Sequence, residues 1–452
     1  MKLALYKTIL QPYYRGTYYL GFALIKAFLA HHRPSIETVI CHSPEQVLLE
    51  KPDVIGLSSV TESWEVTSYL AREFKEKLGV PVMIGGQHVS ALPHTLPPWA
   101  DVGVIGEGEE TIVELLDRVE GDHLRLGGDI RGIVYRVDGE TQVTQSRPML
   151  VMDSLPAPAD VPTDRYRLST VRGCPFACTH CVEYNFHAKV RQLSANRLCE
   201  LIIAEHERSG QTELEFLDDL FFAFPRRVFE LRDILKQRGL LRRFHFWKVS
   251  AVAHLLDDDI MLAAKDIGVV DMGMGLESAS PRILRQFKGK NGTIQNIQHA
   301  IKLAERHQVP LGAAPVFGYP GETLHDIDLT MDFFRRAEVH GFRRYGMWVC
   351  QPLPGSILWQ RGEAAGSLSL VMDFSTLRIG GNESPFLTPY YYGNEATVPR
   401  QAFESYIAAH GFWNVPGSIS RPEQQPCSPL LLHAVTAGSV RDDLAKMKAA
   451  AE

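Results

Sequence analysis

The sequence predicts an α/β protein in which two parallel-strand regions follow one another, and three observations support this fold class. Short apolar runs alternate with helical stretches in residues 1–145 and again in residues 166–360, as in parallel sheets covered by helices. Four prolines punctuate residues 146–165, which predicts an extended linker; they are Pro148, Pro156, Pro158 and Pro162. Glycines and hydroxyl residues follow several predicted strands, at the edge where open α/β sheets bind ligands.

In the N-terminal region, five apolar runs predict strands and three stretches between them predict helices near 20–31, 63–78 and 108–118. The strand candidates are Leu3–Tyr6, Ile36–Ile40, Val54–Ser58, Val82–Ile84 and Val102–Ile105. Acidic residues at 107, 109 and 110 suit the positive end of the third helix. A further strand, Ile130–Val137, precedes the turn residues Asp138 and Gly139 and therefore predicts a hairpin.

The second region predicts six strands, each followed by a helix or a loop, which together make a partial (β/α)6 barrel. Its strand candidates are Leu168–Val171, Glu213–Leu217, Phe244–Val249, Val269–Leu276, Leu311–Phe317 and Tyr345–Cys350. Helices are predicted near 194–209, 226–238, 257–267, 293–307 and 323–339. Ser194 and Asp257 are expected N-caps, and Gly210, Gly239 and Gly268 are expected stops. In such barrels the chemistry gathers at the C-terminal ends of the strands.

Residues 361–452 are less regular and predict a small, mostly helical C-terminal region that caps the barrel. Helices are expected near 399–410 and 439–451. Aromatic residues in this region are candidates either for a substrate pocket or for the core of a small lid; they are Tyr390, Tyr391, Tyr392, Phe412 and Trp413.

The composition is that of an ordinary soluble globular protein, with 452 residues, 45% hydrophobic and 22% charged. The net charge of −6 and the lack of a basic stretch argue against nucleic-acid binding. An odd number of cysteines, seven, favours a reducing compartment over a disulfide framework. No apolar run reaches the ~20 residues of a membrane span, and the N-terminus resembles a strand more than a signal peptide. We therefore expect a cytoplasmic protein.

Three cysteines directly after the first barrel strand are the most informative feature of the chain. Cys174, Cys178 and Cys181 follow the spacing Cys-x-x-x-Cys-x-x-Cys. Three soft thiolates suit zinc or an iron–sulfur cluster, and a site with three protein ligands leaves one position open. A structural zinc site completed by His180 is the alternative, although His180 lies between two ligand cysteines and cannot easily turn onto the same metal.

Other strand ends of the barrel carry carboxylates and glycines. Asp218 and Asp219 end the second strand, where two adjacent carboxylates repel unless a cation faces them. A helix cap or solvated turn is the alternative for this pair. Gly273, Gly275 and Glu277 end the fourth strand, where glycines permit close approach and Glu277 can accept from a polar ligand.

The N-terminal region places a second set of small and polar residues at the ends of its strands, the location expected for a nucleotide-like ligand. The fingerprint Gly-x-Gly-x-x-Gly of dinucleotide sites is absent. The set comprises Ser58, Ser59, Thr61, Gly85, Gly86, His88, Gly106, Glu107 and Gly108.

Taken together, these motifs resemble those of the class B, cobalamin-binding branch of the radical S-adenosylmethionine (SAM) enzymes. The likeness extends over residues 1 to about 355 and includes Gly318-Tyr319-Pro320-Gly321-Glu322-Thr323 and Pro352-Leu353-Pro354-Gly355-Ser356. It implies an N-terminal Rossmann-like cobalamin-binding domain, a 4Fe–4S cluster on the three cysteines, and SAM chelating the open iron. It also implies SAM contacts by Asp218, Asp219, Glu277 and, where many relatives carry arginine, Ser250.

The same resemblance implies that the nine N-terminal residues line the cobalamin site. The motif Asp-x-His-x-x-Gly of the older cobalamin mutases is absent, which implies base-off cobalamin without a histidine ligand from this domain. His88 is then interpreted as a wall residue of the pocket for the nucleotide tail.

The implied function is methylation of an unactivated carbon through a 5′-deoxyadenosyl radical and methylcobalamin. Expected partners are a small-molecule, lipid or peptide substrate and an electron donor such as flavodoxin or ferredoxin. A cobalamin-dependent cyclase or rearrangement enzyme is the nearest alternative, and a zinc-binding regulator is a remote one. An RNA methylthiotransferase would need a further cysteine-bearing domain and an RNA-binding barrel, neither of which the sequence indicates.

Overall fold

A computed structural model describes residues 1–8, 19–120, 123–159, 164–187, 189–377 and 405–406. The chain divides into two compact units. The first contains the described residues up to 159 and those from 363 to 377, and the second contains residues 164–187, 189–362 and 405–406. Residues 146–159 of the predicted linker thus group with the first unit, as do residues 363–377. Of the helix predicted near 399–410 the structure describes only residues 405–406, which are helical. The helix predicted near 439–451 and the five aromatic residues of the C-terminal region lie outside the described residues.

The first unit is built on a seven-stranded sheet flanked by helices. Its strands are β1 (Lys2–Lys7), β2 (Glu37–Cys41), β3 (Val54–Ser58), β4 (Val82–Gly85), β5 (Val102–Val104), β6 (Val119–Glu120), β7 (His123–Leu124), β8 (Ile133–Val137) and β9 (Glu140–Val143). Its helices are α1 (Leu20–His32), α2 (Pro44–Glu50), α3 (Trp64–Leu78), α4 (Gln87–Ala91) and α5 (Glu109–Leu116).

The order of this sheet is β2-β1-β3-β4-β5-β8-β9, with β6 and β7 forming a separate pair. The first five strands run parallel, and β8 and β9 add an antiparallel edge. Asp138 and Gly139 both have positive φ, 52° and 88°, which confirms the predicted hairpin turn. Leu3, Val54 and Val102 have no exposed surface, because helices cover both faces of a parallel sheet.

The second unit contains eleven described strands and eight helices. The strands are β10 (Tyr166–Leu168), β11 (Val171–Arg172), β12 (Arg191–Gln192), β13 (Glu213–Phe216), β14 (His245–Trp247), β15 (Val249–Ala251), β16 (Met272–Met274), β17 (Leu311–Ala313), β18 (Val316–Phe317), β19 (Arg343–Arg344) and β20 (Trp348–Val349). The helices are α6 (Glu183–Phe186), α7 (Ala195–Ser209), α8 (Pro225–Gln237), α9 (Asp258–Ile267), α10 (Pro281–Lys288), α11 (Ile294–His307), α12 (Leu324–Glu338) and α13 (Ile357–Ala364).

Parallel pairing joins nine of these strands in the order expected for a partial barrel, whereas β11 and β12 form a separate antiparallel pair. One sheet has the order β10-β13-β14, another β15-β16-β17-β19, and β18 pairs with β20. Several predicted strands are each split into two short ones. Lys248 separates β14 from β15 because its φ of 54° interrupts the extended backbone.

Helix boundaries in this unit follow the predicted capping residues closely. The side chains of Ser194 and Asp257 accept from the third residue of α7 and α9, and Gly210 and Gly268 end these helices in the left-handed conformation. Helix α10 was not predicted. It begins after the cap Ser280, with Pro281 in its first turn. Among the described residues, no helix is both long and apolar enough to cross a membrane.

Candidate cofactor sites

The three predicted cluster cysteines lie on one loop that leaves the C-terminal end of β11. Gly173 opens this loop with a φ of 90°, and a Cβ atom there would lie 2.8 Å from the Cβ of His187. All three thiols are half-buried and free of disulfides. The N–H of Cys181 donates to the carbonyl of Cys178 at 3.0 Å, which folds the loop back on itself. The reactive loop is therefore at the end of the barrel where the sequence predicted it.

Two helices from later in the chain hold this loop in place. The backbone N–H of Thr179 donates to the carbonyl of Phe287 at the end of α10, at 2.9 Å. The carbonyl of Thr179 accepts from the N–H of Leu358 in α13, at 3.0 Å. Phe287 and Leu358 belong to one buried apolar cluster, so the loop rests on packed core.

The chemistry and spacing of the thiols fit an iron–sulfur cluster. Burial raises the pKa of Cys178 to about 11 and that of Cys181 to about 12, and it also raises the pKa of Cys174. A soft metal centre removes these protons on binding. Three thiolates on one loop leave one position of such a centre open for another ligand.

His180 is engaged away from the thiols. Its Nδ1 lies 3.4 Å from the hydroxyl of Tyr319, and the two rings meet edge to face with centroids 5.6 Å apart. Burial lowers the pKa of His180. The alternative of a zinc site completed by His180 has no support in this arrangement.

Lys288, the last residue of α10, lies close enough to the cysteine loop for its charge to act on Cys178. The Lys288 ammonium donates to the carbonyl of Gly275 at 2.7 Å and to a carboxylate oxygen of Glu277. Its positive charge lowers the pKa of Cys178, and only burial has a larger effect on that pKa. Glu277, predicted to contact SAM, thus has one oxygen on a neighbouring cation.

Asp218 lies in a network of hydrogen bonds inside the protein, and its predicted contact with SAM stays a prediction. Its carboxylate accepts from the N–H and hydroxyl of Thr170 and from the N–H of Val171. The buried Arg227 in turn donates to the carbonyl and hydroxyl of Thr170, at 3.0 and 3.1 Å. Burial raises the pKa of Asp218 to about 6, opposed by Arg227 and these hydrogen bonds. Asp218 therefore anchors the backbone before the cysteine loop, and the repulsion expected between the paired aspartates is relieved by separate partners.

Asp219 binds the first residue of the cysteine loop. Its carboxylate accepts from the N–H of Gly173 at 2.6 Å. Ligand atoms of Asp219, Glu183 and His187 all lie within 4.8 Å of one another. Burial and the charge of Asp219 raise the pKa of Glu183. Sequence reasoning missed Glu183 and His187, although their i, i+4 spacing directly after the last cysteine was a usable signal.

Ser250 connects two strand ends of the barrel. Its hydroxyl accepts from the N–H of Phe221 at 2.8 Å and donates to the carbonyl of Asp218 at 3.1 Å. The hydroxyl thus makes both of its hydrogen bonds within the protein, and its predicted contact with SAM stays a prediction.

In the first unit, Ser58 and Gly85 are register partners at the C-terminal ends of β3 and β4. Gly106, beyond the end of β5, has a φ of 77°, and a Cβ atom there would meet nothing within 4 Å. Thr8, beyond the end of β1, has a buried hydroxyl without a hydrogen-bond partner among the described residues. The sheet edge therefore offers open space and a free hydroxyl, which fits a large polar ligand such as cobalamin.

Other residues predicted for this site make contacts within the unit, and their place in a cobalamin site stays a prediction. The hydroxyl of Ser59 is bonded to the carbonyl of Val60, Gly108 is the N-cap of α5, and Glu107 accepts from the N–H of Leu150. Gly86 has a φ of 103°, and a Cβ atom there would lie 2.4 Å from the carbonyl oxygen of Ser59, so only glycine fits.

His88 is completely buried, with both ring nitrogens near hydroxyls. Nδ1 lies 3.4 Å from the hydroxyl of Thr61, and Nε2 lies 3.1 Å from that of Thr95. The ring stacks on Trp64 at 4.1 Å, and burial lowers its pKa to about 3. This placement supports the interpretation that His88 is not a cobalt ligand.

Comparison with known proteins identifies both domains. The family model of the B12 binding domain matches residues 8–116, and that of the radical SAM superfamily matches residues 168–334. The structure of the radical SAM methyltransferase TsrM from Kitasatospora setae, with cobalamin and a [4Fe-4S] cluster bound, superimposes with a TM-score of 0.72. That superposition covers 99% of each chain at 15% identity, and it shows a shared fold.

Two curated relatives extend the comparison. An uncharacterized methyltransferase of Pyrococcus horikoshii is 30% identical over 345 residues, 72% of each chain. The anaerobic magnesium-protoporphyrin IX monomethyl ester cyclase of Rubrivivax gelatinosus is 24% identical over 67% of this chain and 58% of its own length. With both domains matched in one chain, this protein belongs to the cobalamin-dependent branch of the radical SAM superfamily, whose cofactors are a 4Fe–4S cluster, SAM and cobalamin.

Proposed function

We propose that this enzyme is a methyltransferase that methylates an unactivated carbon of its substrate by a radical route. The observation that carries the proposal is the presence in one chain of a three-thiol loop at the end of a barrel strand and a B12-binding domain. When bound, the cluster and SAM supply a 5′-deoxyadenosyl radical that removes a hydrogen atom, and cobalamin supplies the methyl group. The relative with 30% identity is also named a methyltransferase, which supports this choice.

The described residues have distinct tasks in this proposal. Cys174, Cys178 and Cys181 hold the cluster and leave one iron for SAM. Asp219 faces the loop and is proposed to contact SAM, whereas Asp218 positions the loop through Thr170 and Val171. At the sheet edge of the first unit, Ser58, Gly85 and Gly106 are proposed to line the cobalamin site. The Phe287 and Leu358 contacts fix the loop, so that bound groups are held in a constant orientation.

An alternative is a cyclase or rearrangement enzyme that uses the same cofactors without methyl transfer. The similarity to the Rubrivivax gelatinosus cyclase favours it, although that relative is matched over only 58% of its length. We propose a small molecule, lipid or peptide as the substrate and a flavodoxin or ferredoxin as the electron donor in either case.

Isotope transfer from SAM distinguishes the two functions. Reconstituted protein with cobalamin, a chemical reductant and SAM carrying a labelled methyl group is incubated with a small-molecule extract of the source cells. The proposal predicts label in a methylated product together with 5′-deoxyadenosine. If 5′-deoxyadenosine forms and depends on the extract while no labelled product appears, methyl transfer is rejected in favour of the alternative.

A further inference from the structure

Three features of the loop after β16 concern the ammonium group of Lys288. Glu277 has a φ of 59°, in the left-handed region that glutamate seldom adopts. A Cβ atom at Gly275 would lie 2.6 Å from a Glu277 carboxylate oxygen and 2.7 Å from the Lys288 Nζ. Lys288 is held at this place by Gly275 and Glu277, with only 12% of its side chain exposed.

The backbone at Glu277 is held in this conformation by the neighbouring strand. The carbonyl of Glu277 accepts from the N–H of Val316 at 2.8 Å, and Glu277 forms an isolated parallel bridge with Pro315. Backbone strain of this kind costs about 1–3 kcal/mol and persists where the surroundings enforce it, often at functional sites. Its effect here is to direct a carboxylate at Lys288.

Lys288 is also tied to the cysteine loop through the chain. It directly follows Phe287, whose carbonyl accepts from the N–H of Thr179, and Thr179 directly follows Cys178. The hydrogen bond therefore fixes the last turn of α10 against the cysteine loop, while Gly275 and Glu277 hold the ammonium group, whose charge acts on Cys178. Among the described residues, the ammonium is bonded to Glu277, and its charge also acts on His180, His254 and the thiols of Cys174 and Cys178.

We propose that Lys288 is a positioning residue whose ammonium balances the negative charge of the cluster bound by Cys174, Cys178 and Cys181, with Gly275 and Glu277 holding it in place. Three thiolates make the centre anionic, and reduction adds a further negative charge. A fixed cation nearby favours the reduced state, since cluster potentials depend on net charge and on the surrounding protein groups. This role of Lys288 requires the cluster but not methyl transfer, so rejection of the proposed reaction would leave it unaffected.

The test is a redox titration of the reconstituted cluster, followed by electron paramagnetic resonance. Lys288→Met removes the charge while keeping a long side chain, and Lys288→Arg is the matched control that keeps the charge. We expect Lys288→Met to shift the midpoint to a more negative potential by at least a tenfold change in the one-electron equilibrium, about 59 mV. Lys288→Arg is expected to stay near the wild-type midpoint.

Two other results are informative. If Lys288→Met holds no cluster although the apo-protein unfolds at the wild-type temperature, and Lys288→Arg loads fully, the cation is needed for the cluster itself, which supports the proposal. If Lys288→Met unfolds early, Lys288→Gln is titrated in its place. An unchanged midpoint in the uncharged variant, or an equal shift in Lys288→Arg, would overturn the proposal.

Discussion

The carboxylate of Asp218 binds Thr170 twice, through its backbone N–H and through its hydroxyl, at 2.5 Å for the hydroxyl. Thr170 precedes β11, which leads directly into the cysteine loop. Arg227 completes the arrangement from α8 and has only 2% of its surface exposed. A buried carboxylate and a buried guanidinium, both hydrogen-bonded to Thr170, thus fix the start of the segment that carries the cluster thiols.

Asp218→Asn tests this structural role. The change removes the negative charge that stabilises the buried Arg227. It also removes one of the two carboxylate oxygens that accept from Thr170 and Val171, so we expect the free energy of unfolding to fall by roughly 2–5 kcal/mol. Denaturation of the apo-protein in urea measures it. Asp219→Asn is the matched control, expected to unfold near wild type but to bind SAM more weakly in the cluster-loaded protein. Equal stability of Asp218→Asn and wild type would contradict the assignment.

A buried glutamate in the first unit predicts a pH dependence of stability. Glu65 accepts from the N–H of Phe374 at 2.7 Å, while its second oxygen is buried without a partner among the described residues. Burial raises its pKa from 4.5 to about 8. The folded state therefore holds a proton that the unfolded state has lost, and this stabilisation decreases as pH rises toward 8.

Glu65→Gln removes this titration. We expect the unfolding midpoint of wild type in urea to decrease between pH 6.5 and 9, and that of Glu65→Gln to decrease less over the same range. This pH range lies above the pKa of histidine in the unfolded chain, about 6.5. The lowered pKa of buried His88 therefore changes stability only below this range. Parallel pH profiles for the two proteins would show that Glu65 is ionised in the fold.

The placement of His88 predicts the cobalt environment. Because its nitrogens face Thr61 and Thr95 and its ring stacks on Trp64, we expect no histidine nitrogen from this residue on cobalt. The electron paramagnetic resonance spectrum of the Co(II) form of the loaded protein measures this. The spectrum of His88→Gln should match that of wild type. Nitrogen splitting in the wild type that disappears in this variant would show that the ring turns onto the metal.

The sequence was sufficient for the elements whose signals are local. Alternating apolar runs located the parallel strands, Ser194 and Asp257 marked helix starts, and Asp138-Gly139 marked the hairpin. The cysteine spacing located the loop because all three ligands lie within eight residues of one another.

Features that depend on contacts between distant residues could not be predicted. The division of roles between Asp218 and Asp219 follows from Thr170 and Gly173, more than 40 positions earlier. The hydrogen bond between Glu65 and Phe374 joins residues 309 positions apart. The break at Lys248 arises from one backbone angle inside an apolar run that is otherwise typical of a strand.

The cysteine loop itself is tested by substitution of single thiols. Cys178→Ser should abolish the brown iron–sulfur absorption of the anaerobically reconstituted protein, because the cluster loses one of three thiolates. Cys199→Ser is the matched control, since Cys199 is buried in α7 away from this loop. Colour retained in Cys178→Ser, or lost equally in both variants, would contradict the assignment of the ligands.

Formation of 5′-deoxyadenosine tests the central claim most directly. Anaerobic protein with its iron and sulfide restored is mixed with SAM and a strong reductant, and the nucleoside is quantified by mass spectrometry. An iron centre with one position left for SAM predicts reductant-dependent 5′-deoxyadenosine from wild type and Cys199→Ser, and none from Cys178→Ser. Stoichiometric zinc in the purified protein, or a full complement of iron that never yields the nucleoside, would contradict it.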